Sequence, residues 1–71
     1  HPNTREPSLS CRQQILKRDN NACKCCGSES NLEIDHIYPW AKGGKTIKGN
    51  LQVLCRYHNR RKGVLYPYDC N

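Results

Sequence analysis

Four side chains in this sequence have the types and the spacing of a closed zinc site. Cys23 and Cys26 are separated by two residues, and so are Cys55 and His58, so each pair can offer two ligands to one ion from a single turn. Three thiolates and one imidazole fill a tetrahedral shell, and zinc has no redox chemistry, so the expected metal is structural. It would tie a turn near Cys23 to the last ordered segment of the chain. A disulfide framework is the competing reading. It leaves His58 unexplained at ligand spacing, and the adjacent Cys25 and Cys26 are hard to pair separately in so small a loop. Cys25 could stand in for Cys26 as a ligand, although Gly27 directly after Cys26 favours Cys26. Cys11 and Cys70 are left as buried thiols or, under oxidising conditions, as a bridge between the two ends.

Inside the clamp lies a second set of polar residues. Asp35 and His36 are adjacent, Asn50 follows after thirteen intervening residues, and Asn59 follows after eight more, beside the last zinc ligand. Each piece alone is a weak signal. His36 by itself reads most simply as a hydrogen-bonded strand histidine, and it is the company of Asp35, Asn50, Asn59 and the zinc frame that argues for chemistry.

These residues need elements to hold them. Ser10 with Gln13 resembles a capping box, Ile15 and Leu16 supply an apolar stripe and Lys17 and Arg18 suit a helix end, so a helix is expected over about 11–19. Leu32 to Tyr38 alternates like a strand that Pro39 ends, and a second short strand is expected from Leu51 to Leu54. Lys42 to Gly49, with three lysines and three glycines, reads as an exposed basic loop between them. The run Arg56 to Lys62, closed by Gly63, suits a last helix. Tyr38 and Trp40 are expected in the core, with stacking on a base or sugar as the alternative. Tyr57, Tyr66 and Tyr68 are undecided.

Composition bounds the rest. Seventy-one residues, 35% of them hydrophobic, with no Phe or Met, one Trp and a mean hydropathy of −0.95, exclude a large core. So small a domain needs a metal, disulfides or a partner. A net charge of +6 and a pI near 9.2 point to a polyanion as partner, although charge alone also serves solubility. Three zinc-bound thiolates and Zn2+ together carry −1, which leaves the field at +5. No apolar stretch approaches the roughly 20 residues of a membrane span and no signal peptide is legible, so the protein is expected to be soluble and cytoplasmic. Residues 1–9 read as a flexible arm and 67–71 as a tail. The start at His1 fits a processed protein or a piece of a longer one.

Taken together, Cys23-x-x-Cys26-Gly27, Ile34-Asp35-His36-Ile37-Tyr38-Pro39, Gly43-Gly44, Asn50-Leu51-Gln52-Val53-Leu54-Cys55 and Asn59-Arg60-Arg61-Lys62-Gly63 resemble the HNH endonuclease family, over about residues 12–63. The resemblance implies a small α+β, ββα-metal fold spanning 10–66, here with an N-terminal helix and the zinc staple. It also implies a metal-dependent DNA endonuclease. His36 would be the general base, since a neutral imidazole can take a proton from water near neutral pH. Asp35 and the side-chain carbonyl of Asn59 would hold a catalytic divalent ion, and Asn50 would fix the loop and orient His36. Many members carry histidine where this chain has Asn59, and the change favours Mg2+ or Mn2+. Lys42, Lys45, Lys48, Arg60, Arg61 and Lys62 would contact DNA phosphates without reading sequence. One point resists this picture: neighbours on a strand face opposite sides, so either the strand bends at Asp35 and His36 or the two reach a phosphate from different directions. Two other readings use the same residues: a zinc-knuckle module that binds nucleic acid without cutting, and a zinc-stapled adaptor for protein. Target sequence stays open, as does the choice between a homodimer and attachment to a specificity domain.

Overall fold

The structure, a computed structural model, describes residues 4–70. Residues 1–3 of the expected arm and residue 71 of the tail lie outside the described residues. The elements run α1 (Leu9–Arg18), β1 (Leu32–His36), β2 (Leu51–Cys55) and α2 (Arg56–Lys62), with single 3-10 turns at Trp40–Lys42 and Lys48–Asn50. This is the small α+β architecture expected from the sequence. Among the described residues no helix is long and apolar enough to cross a membrane.

Helix α1 starts earlier than its apparent capping box. Ser8, not Ser10, is the N-cap, and its hydroxyl accepts the Cys11 N–H at 3.1 Å. Ser10 lies inside the first turn, where its hydroxyl accepts from the Gln14 amide at 3.1 Å. Lys17 and Arg18 end the helix, favourably placed against its dipole. Asn20 and Asn21, at φ of 59° and 52°, then turn the chain through the left-handed region that asparagine tolerates best among non-glycine residues.

The two strands form an antiparallel pair in the register Leu32↔Cys55, Ile34↔Val53 and His36↔Leu51. Period-two alternation gives this ribbon two different faces. One packs Ile34 with Leu51 and Val53 against Ile15 of α1. The other faces α2, with Asp35 beside Lys62 and Glu33 beside Asn59. A second buried cluster of Cys23, Leu54 and Cys55 lies under the knuckle. Tyr38 departs from its expected core position: it is 41% exposed and meets Tyr66, itself 52% exposed, edge to face at 5.0 Å. Trp40 is half-buried, its ring centroid 5.8 Å from that of His36.

An ion pair clips α1 to the ribbon. Arg18 donates to Asp19 and to the carbonyls of Lys48 and Leu51, while Asp19 Oδ2 accepts the Val53 N–H at 3.1 Å. The Arg18 guanidinium holds the Asp19 carboxyl below its ordinary range. Asp19→Ala would leave the N–H of fully buried Val53 without its acceptor, at a cost of about 1–3 kcal/mol, readable in a thermal melt. Because the folded-state pKa is depressed, this stabilisation is complete above the unfolded value near ~4. It is lost as pH falls through the folded one. The deficit of the variant should therefore shrink below about pH 4.

Candidate functional site

The knuckle between α1 and β1 is built by backbone bonds. Cys23 N–H donates to Ser28 O at 2.8 Å, Gly27 N–H to Cys23 O at 2.9 Å and Lys24 N–H to Val53 O at 2.9 Å. Gly27, at φ 77°, supplies the left-handed residue that closes the turn. Cys55 caps α2, which places His58 one turn further on. The ligand atoms of Cys23, Cys26, Cys55 and His58 all lie within 4.8 Å of one another. Tetrahedral zinc with bonds of ~2.3 Å to sulfur and ~2.05 Å to nitrogen implies edges of about 3.8 Å for S···S and about 3.6 Å for S···N. Cys26 and Cys55 sulfurs are 3.8 Å apart, and His58 Nδ1 is 3.3 Å from Cys55 Sγ and 4.0 Å from Cys23 Sγ. The donor set and its spacing fit one zinc ion. Burial pushes the Cys23 thiol up, but backbone N–H groups of Cys55, Cys26 and Cys25 outweigh it and bring the pKa to about 7, close to the thiolate a metal needs. Cys25 takes no part in the cluster: a disulfide joins it to Cys70, which ties the end of the tail to the knuckle. Cys11 is a free thiol, so a Cys11–Cys70 bridge is not formed.

The second set lines a cleft of about 520 Å³ between β1, α2 and the segment before α1. Asp35, His36 and Asn59 all border it, together with Glu33, Trp40 and Arg60. Asp35 and His36, the last two residues of β1, both border the cleft. Asp35 Oδ2 accepts from Gln52 Nε2 at 3.0 Å and faces Lys62 Nζ at 3.3 Å. Asn59 Nδ2 donates to Glu33 Oε1 at 2.7 Å.

His36 is 9% exposed, and its Nε2 lies 2.8 Å from Thr46 Oγ1. Thr46 donates its hydroxyl proton to the carbonyl of Thr4. A hydroxyl has one proton, so at His36 it is Nε2–H that donates and Nδ1 that keeps a lone pair. Burial lowers the imidazole pKa, with Asp35 opposing and Arg5 and Lys62 reinforcing, and the neutral ring is favoured. Asn50 sits at the base of the loop. Its carbonyl oxygen accepts Tyr38 N–H at 2.8 Å, and its amide donates to Tyr38 O and Lys45 O at 3.1 and 2.9 Å. All three bonds go to loop backbone rather than to the His36 side chain.

Lys62 is the one expected DNA contact that the structure places elsewhere. It is 2% exposed, and its ammonium donates to His36 O at 2.9 Å beside Asp35. A buried cation needs such partners, and these hold it inside the domain. Lys42, Lys45, Lys48, Arg60 and Arg61 are exposed. Glu33, Thr46 and Gln52 were not singled out from the sequence. Glu33 carried a usable signal, since it shares the face of Asp35 by strand alternation.

Gly44 fixes the loop's close approach to Tyr38. A Cβ there would stand 1.8 Å from Tyr38 O and 2.9 Å from Pro39 O, and Gly44 N–H already donates to Pro39 O at 2.9 Å. Gly44→Ala must push backbone from backbone, at about 1–3 kcal/mol. The expected result is a lower melting temperature with zinc content unchanged.

With this geometry established, two comparisons place the chain. The HNH endonuclease family profile matches residues 23–64, a span from the first zinc ligand past the end of α2. A CRISPR-associated endonuclease Cas9 from Corynebacterium diphtheriae is 43% identical over 56 residues, which cover 73% of this chain and 5% of that protein. The chain thus corresponds to a small part of the length of its relative. A closed Cys3His cluster and a ββα frame around Asp35 and His36, in a sequence that the profile matches over more than half its length, show that the chain belongs to the HNH endonuclease family.

Proposed function

We propose that this chain is a metal-dependent DNA endonuclease domain that hydrolyses phosphodiester bonds, with His36 as general base and a divalent ion held by Asp35 and Asn59. The observation that carries this reading is the single cleft bordered by Asp35, His36 and Asn59. Each of the three is anchored by a neighbour: Gln52 and Lys62 at Asp35, Thr46 at His36, and Glu33 at Asn59.

The anchors decide which atoms are left for chemistry. Both contacts of the Asp35 carboxylate fall on Oδ2, so Oδ1 is the oxygen offered to a cation. The Asn59 amide nitrogen is engaged by Glu33, which turns its carbonyl oxygen the other way. Two oxygen donors suit a hard ion such as Mg2+ or Mn2+. When bound, that ion would supply the positive charge that offsets negative charge building on the reacting phosphate. His36 Nδ1 accepts a proton from water as the water oxygen bonds to phosphorus. The bond from phosphorus to the 3′ oxygen then breaks, and the departing 3′ oxygen takes a proton from solvent, which leaves 5′-phosphate and 3′-hydroxyl ends. Exposed Lys42, Lys45, Lys48, Arg60 and Arg61 neutralise neighbouring phosphates.

One cleft cuts one strand, so a double-strand break takes two copies or two events. The small share of its relative that the chain matches supports attachment to a component that supplies specificity. The deciding experiment is supercoiled plasmid incubated with zinc-loaded protein and Mg2+, Mn2+, added Zn2+ or no further metal. Nicking with Mg2+ or Mn2+ alone is expected. Salt-sensitive binding with no nicking in any ion would instead establish a nucleic-acid-binding module that does not cut.

A further inference from the structure

On the other side of α2 from the candidate cleft, a second, open groove of about 590 Å³ runs between the helix and the loop before β1. Its wall carries Arg56, Tyr57, Arg60 and Arg61 from α2 and Ser28 and Asn31 from the loop, and no acidic residue lines it. Tyr57 is 62% exposed, with the Arg61 guanidinium 5.5 Å from its ring centroid. Arg60 borders both this groove and the cleft that holds Asp35, His36 and Asn59. We propose that this groove binds unpaired nucleotides of the strand whose phosphate lies in the cleft, with Tyr57 as a stacking platform and the arginines on the backbone.

The chemistry selects that ligand class. Three guanidinium groups in a groove that no acidic residue lines match phosphates, which arginine's planar fork of donors suits. Arg56 has an ion pair with Glu33 at 3.6 Å, with both side chains exposed at 61% and 38%. Such surface pairs are weak, so a phosphate can displace the carboxylate. Arginines alone would serve a duplex equally well. A solvent-exposed tyrosine ring adds something only if a base can present its face, which bases stacked in a duplex cannot do. Arg60 borders both the groove and the cleft, so one strand can reach from one to the other.

The proposal rests on the reading of the chain as a DNA-binding domain, not on its cutting, and binding tests it separately. Zinc-loaded protein without added Mg2+ or Mn2+ would be titrated with a fluorescein-labelled oligo-dT 12-mer, a blunt 20-base-pair duplex and poly-glutamate. Tyr57→Ala is expected to weaken oligo-dT binding about tenfold, within the 1–3 kcal/mol range of base–aromatic stacking, and to change duplex binding by less than about twofold. Tyr57→Phe should bind oligo-dT like wild type. The Tyr57 ring lies 5.1 Å from that of His58, so Tyr57→Leu, with zinc content measured, separates loss of the aromatic face from disturbance of the knuckle. It should match Tyr57→Ala. Equal weakening for single strand and duplex, no weakening for either, or loss of poly-glutamate binding as large as that of oligo-dT would each overturn the proposal. Tyr57-dependent binding of oligo-dT by a protein that never nicks plasmid would support the groove and refute the nuclease reading alone.

Discussion

His36→Ala is expected to slow plasmid nicking by about 10³-fold, the middle of the range that a positioned general base contributes, or roughly 4 kcal/mol in the barrier. The size follows from the surroundings of the ring. The Thr46 hydroxyl fixes the Nε2–H tautomer and Trp40 flanks the imidazole, so one nitrogen is held ready as a neutral base. Alanine removes that nitrogen and leaves Lys62 bonded to the His36 carbonyl, which is backbone. The ribbon and the zinc cluster should therefore persist, and zinc content and far-UV circular dichroism should match wild type. Thr46→Val separates tautomer control from proton transfer: the base remains but its orientation is no longer enforced, and a loss of about tenfold is expected, typical of residues that orient such groups. Nicking by His36→Ala at more than a tenth of the wild-type rate would falsify the role given to this residue.

How much of this was legible in the sequence depended on how local the signal was. The Cys-x-x-Cys and Cys-x-x-His pairs are each set by one turn, and the strand alternation around Ile34 and Val53 by one extended segment. Both read directly, and the fold class followed. Boundaries shifted where chemistry was degenerate: Ser8 and Ser10 are both competent caps, and their types alone do not choose between them. Lys62 follows Arg60 and Arg61 and looked like more of the same basic face. The helix turns 100° per residue, and that rotation carries Lys62 under the ribbon while its neighbours stay outside. The Cys25–Cys70 disulfide, at a sequence separation of 45, has no local signature, because connectivity among six cysteines does not follow from spacing. Strand alternation put Glu33 on the face of Asp35, but its partner Asn59 lies 26 residues away, so its role as an anchor needed the helix crossing.

Loss of zinc is expected to have the larger structural effect. Among the described residues, the fully buried aliphatic side chains are Ile15, Leu51, Val53 and Leu54, too few to order a chain of 71 residues by burial alone. The knuckle adds only short backbone bonds and the small Cys23, Leu54 and Cys55 cluster. Without an ion, three sulfur atoms and an imidazole that crowd within 4.8 Å lose the attraction that compensates their desolvation. Structural zinc in small domains is worth about 10–16 kcal/mol at neutral pH, as much as the whole stability of a typical domain. Chelation should therefore abolish the cooperative melt, Cys55→Ala should do the same at any zinc concentration, and Zn2+ but not Mg2+ should restore the wild-type fold, because thiolates select the softer ion. The same selectivity separates the two metals in a nicking assay: after the zinc is stripped, excess Mg2+ alone should fail to restore cutting, whereas Zn2+ followed by Mg2+ should succeed. A zinc-free protein that still melts cooperatively within a few degrees of the loaded one would show that the small core and the Cys25–Cys70 bridge suffice, and the cluster would then have to be explained by something other than stability.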